Sequence, residues 1–135
     1  MITFTVMGAP RGWARTGQRG AVRFVDKATA SYENKVAHLA SLEMKGTAPW
    51  EGPVSVQIEI TYDVPESWSK KRRATAPGSP APKKPDIDNC AKIILDGLNG
   101  VAFKDDSQVT DLRVIKRYGE TAETYVVVSK MELLS

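Results

Sequence analysis

The stretch Lys83–Thr110, KKPDIDNCAKIILDGLNGVAFKDDSQVT, constrains this chain more than any other. Five aspartates, Asp86, Asp88, Asp96, Asp105 and Asp106, surround an apolar pattern of helical period. Ala91, Ile94, Leu95 and Leu98 fall at i, i+3, i+4 and i+7, so a helix here has one face that must find a core. Asn99-Gly100 stops that helix, because both residues tolerate the left-handed backbone. Pro85 biases Lys84 toward extended chain. If Asp86-Ile87-Asp88 continues extended, period two sends both carboxylates to one side and Ile87 toward the core. Asp88 or Asn89 is then placed to cap the helix.

The way back matters as much as the way in. From Asp88 to Leu98 a helix climbs about 15 Å, and an extended chain from Gly100 to Asp106 covers about 20 Å. The chain can therefore return an aspartate to the side of Asp86 and Asp88. Adjacent strand residues face opposite ways, so one of Asp105 and Asp106 joins the cluster, and spacing leaves either open.

Three carboxylates held together repel and take up protons unless a cation offsets them. Oxygen ligands suit Mg²⁺, with Mn²⁺ as a substitute, and such an ion activates water for phosphodiester hydrolysis. Lys92 stands four residues after Asp88 and four before Asp96, on one helical stripe. It is placed either to neutralise a phosphate or to pair with Asp96, which would make Asp96 a helix partner rather than a metal ligand. The competing reading of the aspartates is that they are loop, cap and turn residues.

The net charge of the 135 residues is +3, but its distribution says more than its sum. Met1–Val25 carries Arg11, Arg15, Arg19 and Arg23, and Ser67–Lys84 carries Lys70, Lys71, Arg72, Arg73, Lys83 and Lys84, with no acid in either segment. Outside them acids outnumber bases, so two basic segments flank an acidic centre, as a polyanion held over a metal site requires. As solvated loops, the same runs would serve solubility alone.

Cys90 and His38 are each single, which excludes an intrachain disulfide and the Cys/His zinc patterns and fits a reducing, cytoplasmic setting. No stretch approaches the length of a membrane span and no signal-peptide pattern opens the chain, so a soluble protein without a membrane partner is expected.

The length suits one domain, residues 1–135. Ile2–Met7 alternates as a half-buried strand, and Ala21–Val25 is predicted to be a short second strand pairing back as a hairpin. In the loop between them, Trp13 is either an anchor or a surface for base stacking. Thr29 to Lys45 has helical period, with Tyr32, Val36, Leu39, Ala40 and Met44 on one side and His38 on the solvated side. Pro53–Tyr62 is the clearest strand, with Val54, Val56, Ile58, Ile60 and Tyr62 facing a core. Ser67 is expected to cap a short helix SWSKKRRA, and the proline-rich residues 74–85 to form a mobile loop. Val109–Tyr118 and Thr124–Leu133 read as two strands joined as a hairpin. The order predicts an α+β fold, a mixed or mostly antiparallel sheet packed by two main helices.

The run KPDIDNCAKIILDGLNGVAFKDDSQV, from Lys84 to Val109, resembles the RusA family of Holliday junction resolvases, the crossover junction endodeoxyribonucleases often carried by phages and prophages. Its D-x-D-N-x-x-K, D-x-L-N and D-D-x-Q elements carry the likeness, with weaker support from SWSKK and from Gly8-Ala9-Pro10. The resemblance implies a RusA-like fold and a Mg²⁺-dependent homodimer that resolves four-way DNA junctions by paired symmetrical cuts, in recombination and repair. It implies Asp86, Asp88 and Asp106 as metal-binding catalytic carboxylates and Lys92 as the essential basic residue; Asn89 also falls on the motif. Some members carry arginines before the first aspartate, where this chain has Lys83, Lys84 and Pro85. With Asn89, the DNA contacts expected are Arg11, Arg15, Lys70, Lys71, Arg72, Arg73, Lys83 and Lys84. The alternatives are a less selective flap or branched-DNA nuclease and a non-catalytic DNA-binding module.

Overall fold

The computed structural model describes residues 1–19, 22–25 and 27–132, and for 15–19 and 22–25 it defines backbone pairing alone. Strands β1 (Ile2–Met7), β2 (Arg15–Arg19) and β3 (Val22–Val25) precede helix α1 (Lys27–Met44). Strand β4 (Val54–Asp63), helices α2 (Lys70–Thr75) and α3 (Ile87–Leu98), and strands β5 (Val109–Gly119) and β6 (Glu123–Lys130) complete the order. The result is a single small α+β domain: a mixed four-stranded sheet, β1-β6-β4-β5, with β2 and β3 forming a separate antiparallel ribbon.

β4 sits inside the sheet because it alternates without fault. Val54, Val56, Ile58, Ile60 and Tyr62 are all buried, while the residues between them are half-buried on the other face. Each buried aliphatic of this size contributes about 1.5–3 kcal/mol. α1 packs against β1 and against α3, placing Val36, Ala40 and Met44 in the same core as Ile93, Ile94 and Leu98. At the crossing, a Cβ on Gly97 would stand 2.7 Å from Val36 Cβ, so the helices meet where α3 has no side chain.

The hairpin expected of the last two strands is not formed. β6 runs antiparallel to both β1 and β4, whereas β5 pairs in parallel with β4 on its other side. Thr61 of β4 is paired with Glu123, and Asp63 with Gly119, so the 119–123 connection passes over the end of β4. Composition explains the placing. β5 carries Asp111, Arg113, Lys116 and Arg117 and suits an edge, which β6, with Val126 and Val128 fully buried, does not.

α2 is capped two residues later than expected, by Ser69, whose hydroxyl accepts from the Arg72 N–H at 3.2 Å. Trp68 stays outside the helix and packs edge-on against Tyr118, with ring centroids 5.0 Å apart. The proline-rich stretch after α2 is tied to β5. Gly78 N–H donates to Tyr118 O, Tyr118 N–H to Ser79 O, and Ala81 N–H to Lys116 O. Ala76 and Ala81 are its buried anchors, small enough to pass unnoticed in the sequence.

Candidate active site

α3 begins two residues before the point the extended reading allows. The chain bends at Lys84-Pro85, whose peptide is cis, and Asp86 is the N-cap residue with φ −63° and ψ 147°. Asp88 is already helical, in the first turn, where a carboxylate complements the positive end of the helix dipole. Asp86 thus lies outside the helix and Asp88 inside it, so the period of two expected of an extended Asp86-Ile87-Asp88 does not apply. Ile87 is 47% exposed rather than turned to the core. The Asp86 carboxylate instead accepts from Lys84 Nζ at 2.9 Å, and this hydrogen bond holds its carboxyl below the usual range.

Asp88, Lys92 and Asp96 run up one stripe of α3 and line an open cleft of about 430 Å³ with Ala91 and Leu95. Asp106 and the 43% exposed Leu112 close it from the β5 side. Three acidic residues and one lysine thus line the same space. Partial burial raises the Asp96 carboxyl above its ordinary value; Lys92 offsets this, and the neighbouring Asp106 adds to it. Glu33 of α1 is raised by burial and then by Asp96, so the negative charge extends across the helix pair.

The i,i+4 ion pair between Lys92 and Asp96 is not among the ion pairs of the described residues. Lys92 Nζ lies over the Trp13 ring instead, 3.8 Å from its centroid. Trp13 is half-buried against the core, as an anchor of its loop would be. Asp96, set aside in the sequence as a helix partner, is a wall of the cleft. The signal was present in the Asp88–Lys92–Asp96 spacing.

The return of Asp106 is compact rather than extended. Phe103 is fully buried beneath the turn after Gly100, and Asp106–Gln108 form one turn of 3₁₀ helix. Asp105 caps that turn: its carboxylate accepts from Ser107 N–H at 3.1 Å, while Gln108 Oε1 accepts from Asp105 N–H at 3.0 Å. Gln108 Nε2 also donates to the carbonyls of Trp50 and Gly52, both at 2.8 Å, fixing the turn to the segment before β4. Asp105 is thereby occupied, and Asp106 lines the cleft.

Both basic segments meet at the N-terminal end of α3. Trp13 N–H donates to Asn89 O at 2.9 Å, bringing exposed Arg11 close by, and a Cβ on Gly12 would stand 2.6 Å from Pro85 Cβ. Lys83 and Lys84 lead directly into Asp86. Lys116, which the sequence did not single out, reaches from β5 to donate to the carbonyls of Lys83 and Pro85 and so holds this entry in place. Lys70, Lys71, Arg72 and Arg73 are exposed on α2, where the Arg72 guanidinium stacks 3.6 Å from the Trp68 centroid. The Arg15 side chain lies outside the described residues.

The donors facing the cleft are hard carboxylate oxygens, the chemistry that suits Mg²⁺ or Mn²⁺. Among the described residues no three acidic, Cys or His side chains gather closely enough to coordinate one ion by themselves.

Comparison with known proteins adds two matches. The family model described as Endodeoxyribonuclease RusA matches residues 4–129. The uncharacterized protein YqaN of Bacillus subtilis (strain 168) is 34% identical over 140 residues, a match that covers 96% of each chain.

Proposed function

Since the chain belongs to the RusA family of endodeoxyribonucleases, we propose that it resolves four-way DNA junctions by paired symmetrical phosphodiester hydrolysis, dependent on Mg²⁺ and carried out by a homodimer. The carrying observation is the cleft that Asp88, Lys92 and Asp106 line together, beside the meeting point of the two basic segments. Asp88 and Asp106 are the carboxylates best placed to hold a divalent ion there, and Asp86, now paired with Lys84, is the third assigned to it. When bound, such an ion supplies the charge that lowers the pKa of a water and offsets that of the phosphate.

The remaining chemistry falls to the chain's own residues. Lys92 lines the same cleft, and its ammonium balances negative charge that builds on the phosphoryl oxygens during hydrolysis. In this reading Arg11, Lys83 and Lys84, on segments that meet at the N-terminal end of α3, contact the DNA backbone, and Asn89 stands one turn from Lys92 on α3. Two copies related by a two-fold axis present two such clefts to the two symmetric strands of a junction, which accounts for paired cuts.

The test is cleavage of a synthetic four-way junction, each strand labelled in turn, in Mg²⁺. Paired nicks at symmetric positions are expected, with the rate falling about a hundredfold or more in Asp106→Asn and Lys92→Met proteins. Equal rates on flaps, duplexes and junctions would replace junction resolution by a broader nuclease activity. Salt-sensitive binding without cutting would leave a DNA-binding module.

A further inference from the structure

We propose that Trp13 is the positioning residue for Lys92: its ring holds the ammonium at the wall of the cleft while leaving the N–H groups free for a substrate phosphate. This rests on the role given to Lys92 above and goes beyond it. Lys92 Nζ is 3.8 Å from the ring centroid, within the range in which a cation is attracted by the negative face of an indole.

A lysine on an open helical surface has a long flexible stem and loses its orientation readily. Here the two acids one turn away on the same helix, Asp88 and Asp96, make no ion pair with it among the described residues. That difference has chemical meaning. A carboxylate would engage the ammonium's N–H donors, whereas a π face attracts the charge without accepting from all of them. The indole is itself fixed. Its backbone N–H donates to Asn89 O at 2.9 Å, three residues before Lys92 on α3, and its side chain packs half-buried against the core. Gly12, next to it, approaches so closely that an added Cβ would stand 2.6 Å from Pro85 Cβ and 3.1 Å from Asn89 Cβ. The loop from the N-terminal segment is therefore seated on the first turn of α3 in one register, and the ring travels with that register to Lys92.

The test uses the full chain with tryptophan at position 13 alone replaced by its mono-, di-, tri- and tetrafluorinated forms, which drain the ring's negative face while keeping its shape and N–H. Single-turnover junction cleavage is read at saturating and subsaturating DNA. The saturated rate is expected to fall stepwise, to about a tenth across the series, while the half-saturating DNA concentration moves by less than about twofold and Tm stays constant. Trp13→Phe, which keeps a π face, is expected within about threefold of the parent. In a Lys92→Met background the fluorination series should be flat.

A flat series in the parent background overturns the inference, as does a loss carried by weaker DNA binding or an equal loss on top of Lys92→Met. If Lys92→Met itself cuts at the parental rate, the assignment of Lys92 fails as well. If Lys92→Met is slow and the series is flat, the function stands and only the role of Trp13 falls.

Discussion

Asp105 and Asp106 are neighbours with the same side chain and different work. Asp105 accepts from Ser107 N–H and caps the 3₁₀ turn, and this hydrogen bond holds its carboxyl below the ordinary value of 3.8. A carboxyl depressed in the folded state binds fewer protons there than in the unfolded chain. The stability it contributes is thus present above the unfolded value and is lost as pH falls through the folded one. Asp105→Asn keeps an oxygen for the cap and removes the titration. Urea unfolding of that variant should lose less stability than the parent between about pH 5 and pH 2, and parallel acid limbs would contradict the cap. Asp106, by contrast, faces the cleft, and its substitution is expected to change cleavage far more than stability.

At the level of elements, α3 is the piece on which the site depends. Its C-terminal half is clamped against α1, its N-terminal end is held by the Trp13 loop and by Lys116, and Asp88, Lys92 and Asp96 project from the stripe between. Gly97 fixes how closely α1 can approach. Gly97→Ala is expected to destabilise by about 1–3 kcal/mol through overpacking against Val36, despite alanine's better helix propensity. Pairing it with Val36→Ala should recover part of that loss. Chemical denaturation of the single and double variants measures both; an additive double variant would show that the two residues do not share the crossing.

For the whole molecule, the arrangement that matters is the meeting of segments distant in sequence. The loop that carries Arg11 packs on Pro85 and Asn89, next to Lys83 and Lys84, and α2 carries exposed Lys70 and Lys71. If these lysines contact DNA phosphates, replacing Lys70 and Lys71 together by glutamine should reduce the slope of log affinity against log salt by about 2. Binding measured across a salt series decides it, and an unchanged slope would return α2 to the role of a solvated helix. No described helix is long and apolar enough to cross a membrane.

The sequence by itself determined whatever depends on local period and local chemistry. The buried alternation of β4, the apolar face of α3, the stop at Asn99-Gly100 and the gathering of aspartates around one helix could all be read from spacing, because each is fixed by backbone geometry within a few residues. The tertiary structure decided what depends on pairing between distant segments. Nothing local in β5 and β6 says that β4 lies between them, since a five-residue connection serves a hairpin and a crossing over one strand equally well. Nor does the spacing of Asp105 and Asp106 say which one caps a turn, because that choice depends on Gln108 reaching back to Trp50 and Gly52. Lys92 was legible as a residue on the stripe that lines the cleft, but its partner was not. An indole almost eighty positions earlier occupies the place that helical spacing would give to Asp96, because the loop bearing it is hydrogen-bonded to the same helix.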